Sequence, residues 1–89
     1  MNSNGNWHLI VRNKAEKFLF NLPREDQVRL RSAIDSMEID PRGGDMEKME
    51  GEVNAWRRRV GAYRIFFEIY EKERIVHLFK IKRRTSKTY

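Results

Sequence analysis

The sequence predicts an α+β fold: an N-terminal strand, a helical hairpin, then a three-strand antiparallel meander, with both helices packed on one face of the sheet. Three observations point there. Between residues 15 and 37 the apolar residues recur at helical spacing. From residue 56 onward β-branched and aromatic residues come in short alternating runs. Between the two blocks lies Asp40-Pro41-Arg42-Gly43-Gly44-Asp45, a chain breaker. Consecutive strands joined by short turns pair antiparallel, and two helices that must bury one stripe each pack together on such a sheet.

The elements follow in order. Residues 1–6 read as a polar leader, and Trp7 to Val11 as a short strand of β-formers. Asn13 is the expected helix N-cap with Glu16 as its capping-box partner, and Ala15, Phe18, Leu19 and Leu22 give a first helix over 14–21. Leu22-Pro23 ends it, because the residue before proline avoids the helical region. Pro23 also opens a second helix, where its missing N–H costs nothing. Glu25 and Asp26 in the first turn suit the helix dipole, and Leu30, Ile34 and Met37 form the buried stripe. Residues 41–54 read as irregular, pinned by Met46 and Met49. Two strands then flank a tight turn at Gly61-Ala62. Glu71-Lys72-Glu73-Arg74 is a polar turn. Ile75 to Ile81 is a third strand, apolar on both faces and therefore placed centrally. Residues 82–89 carry no core pattern and read as a basic tail.

Length and composition narrow the function. Eighty-nine residues make a single domain over 1–89. With 39% hydrophobic and 36% charged residues, the chain has a core and a heavily charged surface. No cysteine is present, so disulfide frameworks and thiolate metal sites are excluded. The lack of cysteine suits a cytoplasmic protein, and no apolar run is long enough to span a bilayer. The net charge of +6 is unevenly spread: residues 1–55 hold 8 basic against 10 acidic side chains, residues 56–89 hold 11 against 3. A positive C-terminal body attracts a polyanion or an acidic protein segment.

The basic residues form the one constellation that suggests chemistry. Strand alternation puts Trp56, Arg58 and Val60 on one face and Arg57 and Arg59 on the other. Beyond the turn, Ile65, Phe67 and Ile69 point to the core and Arg64 points away. Arg57, Arg59 and Arg64 are thus expected on the face the helices leave open, where guanidinium forks match phosphate oxygens. Lys80, Lys82, Arg83, Arg84 and Lys87 extend the basic surface, and Tyr89 offers a ring for stacking on a base. The plain alternative is a sheet face kept soluble by arginine; the accumulation favours an RNA-binding site. Arg58, on the core face, is expected in an ion pair with Glu52 or Glu68. His8 and His77 have no metal-ligand spacing, and the acidic residues show no close pair on the basic face, so neither a metal site nor a cofactor is expected.

With these residues in hand, the chain from Trp7 to Tyr89 resembles the RelE/ParE superfamily of toxins from bacterial type II toxin–antitoxin systems. The resemblance rests on Leu22-Pro23, Asp40-Pro41, Gly51, the run from Trp56 to Ile65, and Lys82-Arg83-Arg84 with a tyrosine after it. It implies a RelE-like fold and, on the RelE-type branch, an endoribonuclease that cuts messenger RNA in the ribosomal A site, without metal, through attack by the ribose 2′-hydroxyl. It further implies that Arg57 and Arg59 occupy two basic positions of the site. Arg64 would bind the scissile phosphate, Arg83 protonate the leaving oxygen, and Tyr89 stack on a base. Arginine at 57 and 59 is a poor general base, so charge stabilisation rather than proton abstraction is expected there. A cognate antitoxin, in a toxin–antitoxin hetero-oligomer, is the implied protein partner. The ParE-type branch implies instead a DNA gyrase inhibitor, and a third reading is an RNA-binding module without catalysis.

Overall fold

The computed structural model describes residues 6–84. Its elements are β1 (His8–Val11), α1 (Asn13–Phe20), α2 (Arg24–Ser36), β2 (Met46–Lys48), β3 (Ala55–Val60), β4 (Tyr63–Tyr70) and β5 (Ile75–Arg83). The five strands form one sheet in the order β1-β5-β4-β3-β2. The expected meander is there: β3 pairs antiparallel with β4, and β4 with β5. The sheet as a whole is mixed, because β1 pairs parallel with β5. The two helices carry the chain from β1 to β2 at the opposite edge of the sheet, and the strands then return it to β5 beside β1.

One face of the sheet holds the core. Ala15 and Leu19 of α1 and Leu30, Ile34 and Met37 at α2 close over Tyr63, Ile65, Phe67 and Ile69 of β4 and Val76, Leu78 and Ile81 of β5. Phe67 and Leu78 sit opposite each other in register and are fully buried. β5 is flanked by β1 and β4, as its two apolar faces suggest, although the middle strand is β4. The β3–β4 turn is the expected two-residue hairpin between Val60 and Tyr63, with Gly61 at φ 59°, the conformation that favours glycine at the first central position.

Four local expectations are corrected. Asn13 is not the N-cap of α1; Arg12 is, and it makes no side-chain cap bond. The Arg12 N–H donates to the Leu78 carbonyl at 2.9 Å, so β-pairing holds Arg12 extended up to the first helical residue. Glu16 is then free to face Arg31 across the hairpin at 3.6 Å. Pro23 likewise stands one position earlier than expected, as N-cap of α2. At this corner the Gln27 side chain donates to the carbonyl of Phe20, the last residue of α1, and to that of Leu22 in the connection. Residues 41–54 are not wholly irregular: β2 pairs with β3, Met46 opposite Arg58 and Lys48 opposite Trp56. Three alternating residues are too short a run to register as a strand in the sequence. Finally, β5 continues to Arg83, into the segment read as tail.

Candidate functional site

The hairpin β3–β4 divides its arginines between the two faces. Arg58 is on the helix side, opposite Ile65. It donates to Ser36 Oγ at 3.2 Å and reaches the Ala33 carbonyl at 3.4 Å, both in the last turns of α2. A cation suits that negative end of the helix dipole, and α2 carries no basic residue of its own there. The expected pairing with Glu52 or Glu68 is therefore absent; Glu68 is on the opposite face, accepting from Tyr70 and facing His77 Nδ1 at 2.9 Å. Gly44 explains how Arg58 gets in. At φ +82°, a Cβ there would stand 2.5 Å from Arg58 Nε.

Arg57, Arg59 and Arg64 project from the face the helices leave open. Arg59 lies directly opposite Arg64 in β4, and Arg64 directly opposite Lys82 in β5. Three cations stand abreast on three adjacent strands, each step about 4.8 Å. Like charges directly opposite across a sheet are destabilising. Arg57 lies one step along, opposite Phe66. Phe66 is almost buried on this face, beside Phe79 at 6.3 Å between ring centres and under Lys80, whose Nζ is 5.8 Å from the ring.

Arg57, Arg59 and Arg64 line a single polar cleft of about 90 Å³ together with Asp45 and Glu47. Both acids come from β2 and its lead-in, and the expectation of no close acidic pair on this face is corrected. Arg59 Nε is 3.0 Å from Asp45 Oδ2, and Arg57 Nη2 is 3.3 Å from Glu47 Oε1. Arg64 has no carboxylate partner among the described residues. Sequence reasoning missed the two acids; the one available signal is the alternation Asp45-Met46-Glu47-Lys48, in which an inward methionine turns its neighbours outward.

The other expected residues fall elsewhere. Lys80 and Lys82 share the open face. Arg83 does not: its register partner is Tyr63, on the helix side, and its guanidinium carbon lies 5.2 Å from the centre of that ring. Arg84 folds onto the hairpin turn, its N–H on the Ala62 carbonyl and its Nη1 on that of Gly61. Lys87 and Tyr89 lie outside the described residues. Tyr63 donates a 2.7 Å hydrogen bond to Asp26, which together with burial raises its pKa above the ordinary phenol value; Arg83 pulls the other way. Among the described residues no cluster of three His, Asp or Glu side chains could hold a metal ion, and no helix is long and apolar enough to cross a membrane.

Residues 9–87 match the model of a protein family described as the ParE toxin of the type II toxin–antitoxin system, parDE. The chain belongs to the RelE/ParE toxin superfamily. It is a toxin of a toxin–antitoxin system with a RelE-like fold. The RelE of an archaeal RelE–RelB complex from Pyrococcus horikoshii superposes with a TM-score of 0.80 at 24% identity, over 91% of this chain and 98% of that one. The isolated E. coli RelE toxin gives 0.76 at 15% identity, over 91% and 87%. A chain of the RelBE2 toxin–antitoxin complex from Mycobacterium tuberculosis gives 0.71 at 19%, over 88% and 98%. At such identities the likeness to these structures concerns the fold. No curated protein sequence matches the chain.

Proposed function

We propose that this toxin is a ribosome-dependent messenger RNA endonuclease acting in the cytoplasm, and that the arginine cleft is its phosphate site. The observation that carries the reading is the convergence of Arg57, Arg59 and Arg64 on one small cleft of the uncovered sheet face. Guanidinium groups fixed on β-strands are preorganised donors for a phosphoryl group that gains charge in the transition state. In the reaction proposed, the ribose 2′-hydroxyl gives its proton to water as its oxygen bonds to the adjacent phosphorus. The bond to the 5′-oxygen breaks and that oxygen takes up a proton, and the products are a 2′,3′-cyclic phosphate and a 5′-hydroxyl. Arg64, without a carboxylate partner among the described residues, holds the scissile phosphate, while Arg57 and Arg59 spread the developing charge. Lys80, Lys82, Arg84 and Lys87 guide the flanking backbone. Family resemblance assigns Arg83 to the leaving oxygen and Tyr89 to base stacking. Proton abstraction from the 2′-hydroxyl is not a task for arginine, so alignment of the RNA by the ribosome supplies much of the acceleration.

The protein partner in this reading is a cognate antitoxin. The P. horikoshii and M. tuberculosis relatives were solved as complexes with their antitoxins, and a basic face of this kind fits an acidic or amphipathic segment. A gyrase inhibitor is the second reading, favoured by the ParE description of the matching family. Primer extension on a message translated in vitro separates the two. The endonuclease reading expects breaks within codons when ribosomes are present and none when they are omitted. An intact message together with blocked DNA supercoiling by gyrase would replace it with the second reading.

A further inference from the structure

We propose that Asp45 and Glu47 act as built-in phosphate surrogates that hold down the cleft's affinity for free RNA and so reserve the site for RNA aligned by the ribosome. The inference rests on the phosphate-site reading above. The carboxylates occupy the guanidinium edges that a phosphate would use: Asp45 Oδ2 sits on Arg59 Nε, and Glu47 Oε1 on Arg57 Nη2 and Nε. Three arginines against two acids leave the cleft a single net positive charge. Among the described residues no carboxylate sits on Arg64, and an incoming strand must displace one from each of the other two.

The acids are not there to hold β2. The strand is attached through its backbone, by the β2–β3 pairing and by the Arg59 N–H on the Asp45 carbonyl at 2.8 Å. The carboxylate side chains are 64% and 66% exposed, and exposed ion pairs add little to stability. Their main effect is on a third party. A polyanion gains affinity by replacing counterions at cations, and a cation already matched by a carboxylate offers little to replace. A strand held in place by the ribosome competes from a high effective concentration and can displace both acids. A free strand at low concentration cannot.

The test compares wild type with the Asp45→Asn/Glu47→Gln double variant, which keeps side-chain shape and removes both charges. The probe is a fluorescein-labelled single-stranded RNA dodecamer with 2′-O-methyl riboses, which cannot be cut by 2′-hydroxyl attack. Binding is titrated from 0.1 to 1 M salt. Two freed phosphate contacts steepen the slope of log K against log salt by about 1.4, which amounts to binding about 25-fold tighter at 0.1 M and converging near 1 M. Glu47→Gln alone gives about half the change in slope, roughly 0.7. Restoring the wild-type slope by adding Arg57→Ala and Arg59→Ala to the double variant completes the support. A double variant with wild-type slope and affinity overturns the inference, as does a gain that survives loss of those two arginines. Wild-type protein from the same preparation is assayed for cutting of translated message. Cutting with unchanged variant binding sinks this inference alone; a protein that neither binds RNA nor cuts sinks the phosphate-site reading as well.

Discussion

Arg58 and its neighbours Arg57 and Arg59 are the same residue type on one strand, and the sheet gives them opposite work. Arg58 turns inward, slips past Gly44 and ties its guanidinium to the end of α2. Arg57 and Arg59 turn outward, into a cleft they share with Arg64, Asp45 and Glu47. The lesson is that a run of three arginines is not one feature. A pleat one residue long separates a side chain tied to the end of a helix from two that line an open cleft.

The comparison breaks most sharply at the outer face. Arg64→Ala should reduce message cleavage by about 10²–10³-fold, the effect of losing a preorganised donor to transition-state charge. Its melting temperature should stay within a few degrees of wild type, since Arg64 makes no ion pair among the described residues. Loss of activity through unfolding, seen as a lowered melt, would erase the distinction.

Arg58→Ala should do the reverse. Losing a charged donor to a helix end costs about 1–2 kcal/mol, a fall in melting temperature of roughly 4–16 °C for a domain this size. Cleavage per folded molecule should hold. Gly44→Ala should mimic the loss in part, because the added methyl meets Arg58 at a left-handed backbone position. A stable Arg58→Ala protein without activity would move Arg58 to the ligand side.

The inner face also predicts a pH dependence. Tyr63 has a raised pKa in the folded protein, chiefly through its hydrogen bond to Asp26. The neutral phenol is therefore favoured by folding, and its contribution is complete below the ordinary phenol value near 10. That contribution is lost as pH climbs through the folded-state value. Urea titrations in the alkaline range should show stability declining, and Tyr63→Phe should lose about 1 kcal/mol at pH 8 together with this part of the decline. An unchanged alkaline limb in Tyr63→Phe would remove the Asp26 bond from the account.

The smallest effect belongs to the rim. Lys82→Ala should leave stability unchanged and lessen the salt slope of RNA binding by about 0.7, one phosphate contact.

Much of this division was legible in the sequence. Alternation placed Arg57, Arg59 and Arg64 outward, and Ile65, Phe67 and Ile69 inward, before any coordinates, because period two admits no other arrangement once one face is apolar. Gly61-Ala62 announced the hairpin in the same way. What could not be read depended on partners distant in the chain. β2 is too short to announce itself, so Asp45 and Glu47 were hidden beside the arginines they neutralise. The end of β5 is set by pairing with β4, which turns Arg83 toward Tyr63 rather than into the cleft. The start of α1 is set by a backbone bond from Arg12 to Leu78, against the capping preference of Asn13.

Whether the outward arginines cut RNA is decided by single-turnover cleavage of a ribosome-bound message by wild type and Arg64→Ala at equal folded concentration. Wild type should cut in the programmed codon, and equally stable Arg64→Ala should cut at least about a hundredfold more slowly. Equal rates for the two proteins would take the phosphate role away from Arg64.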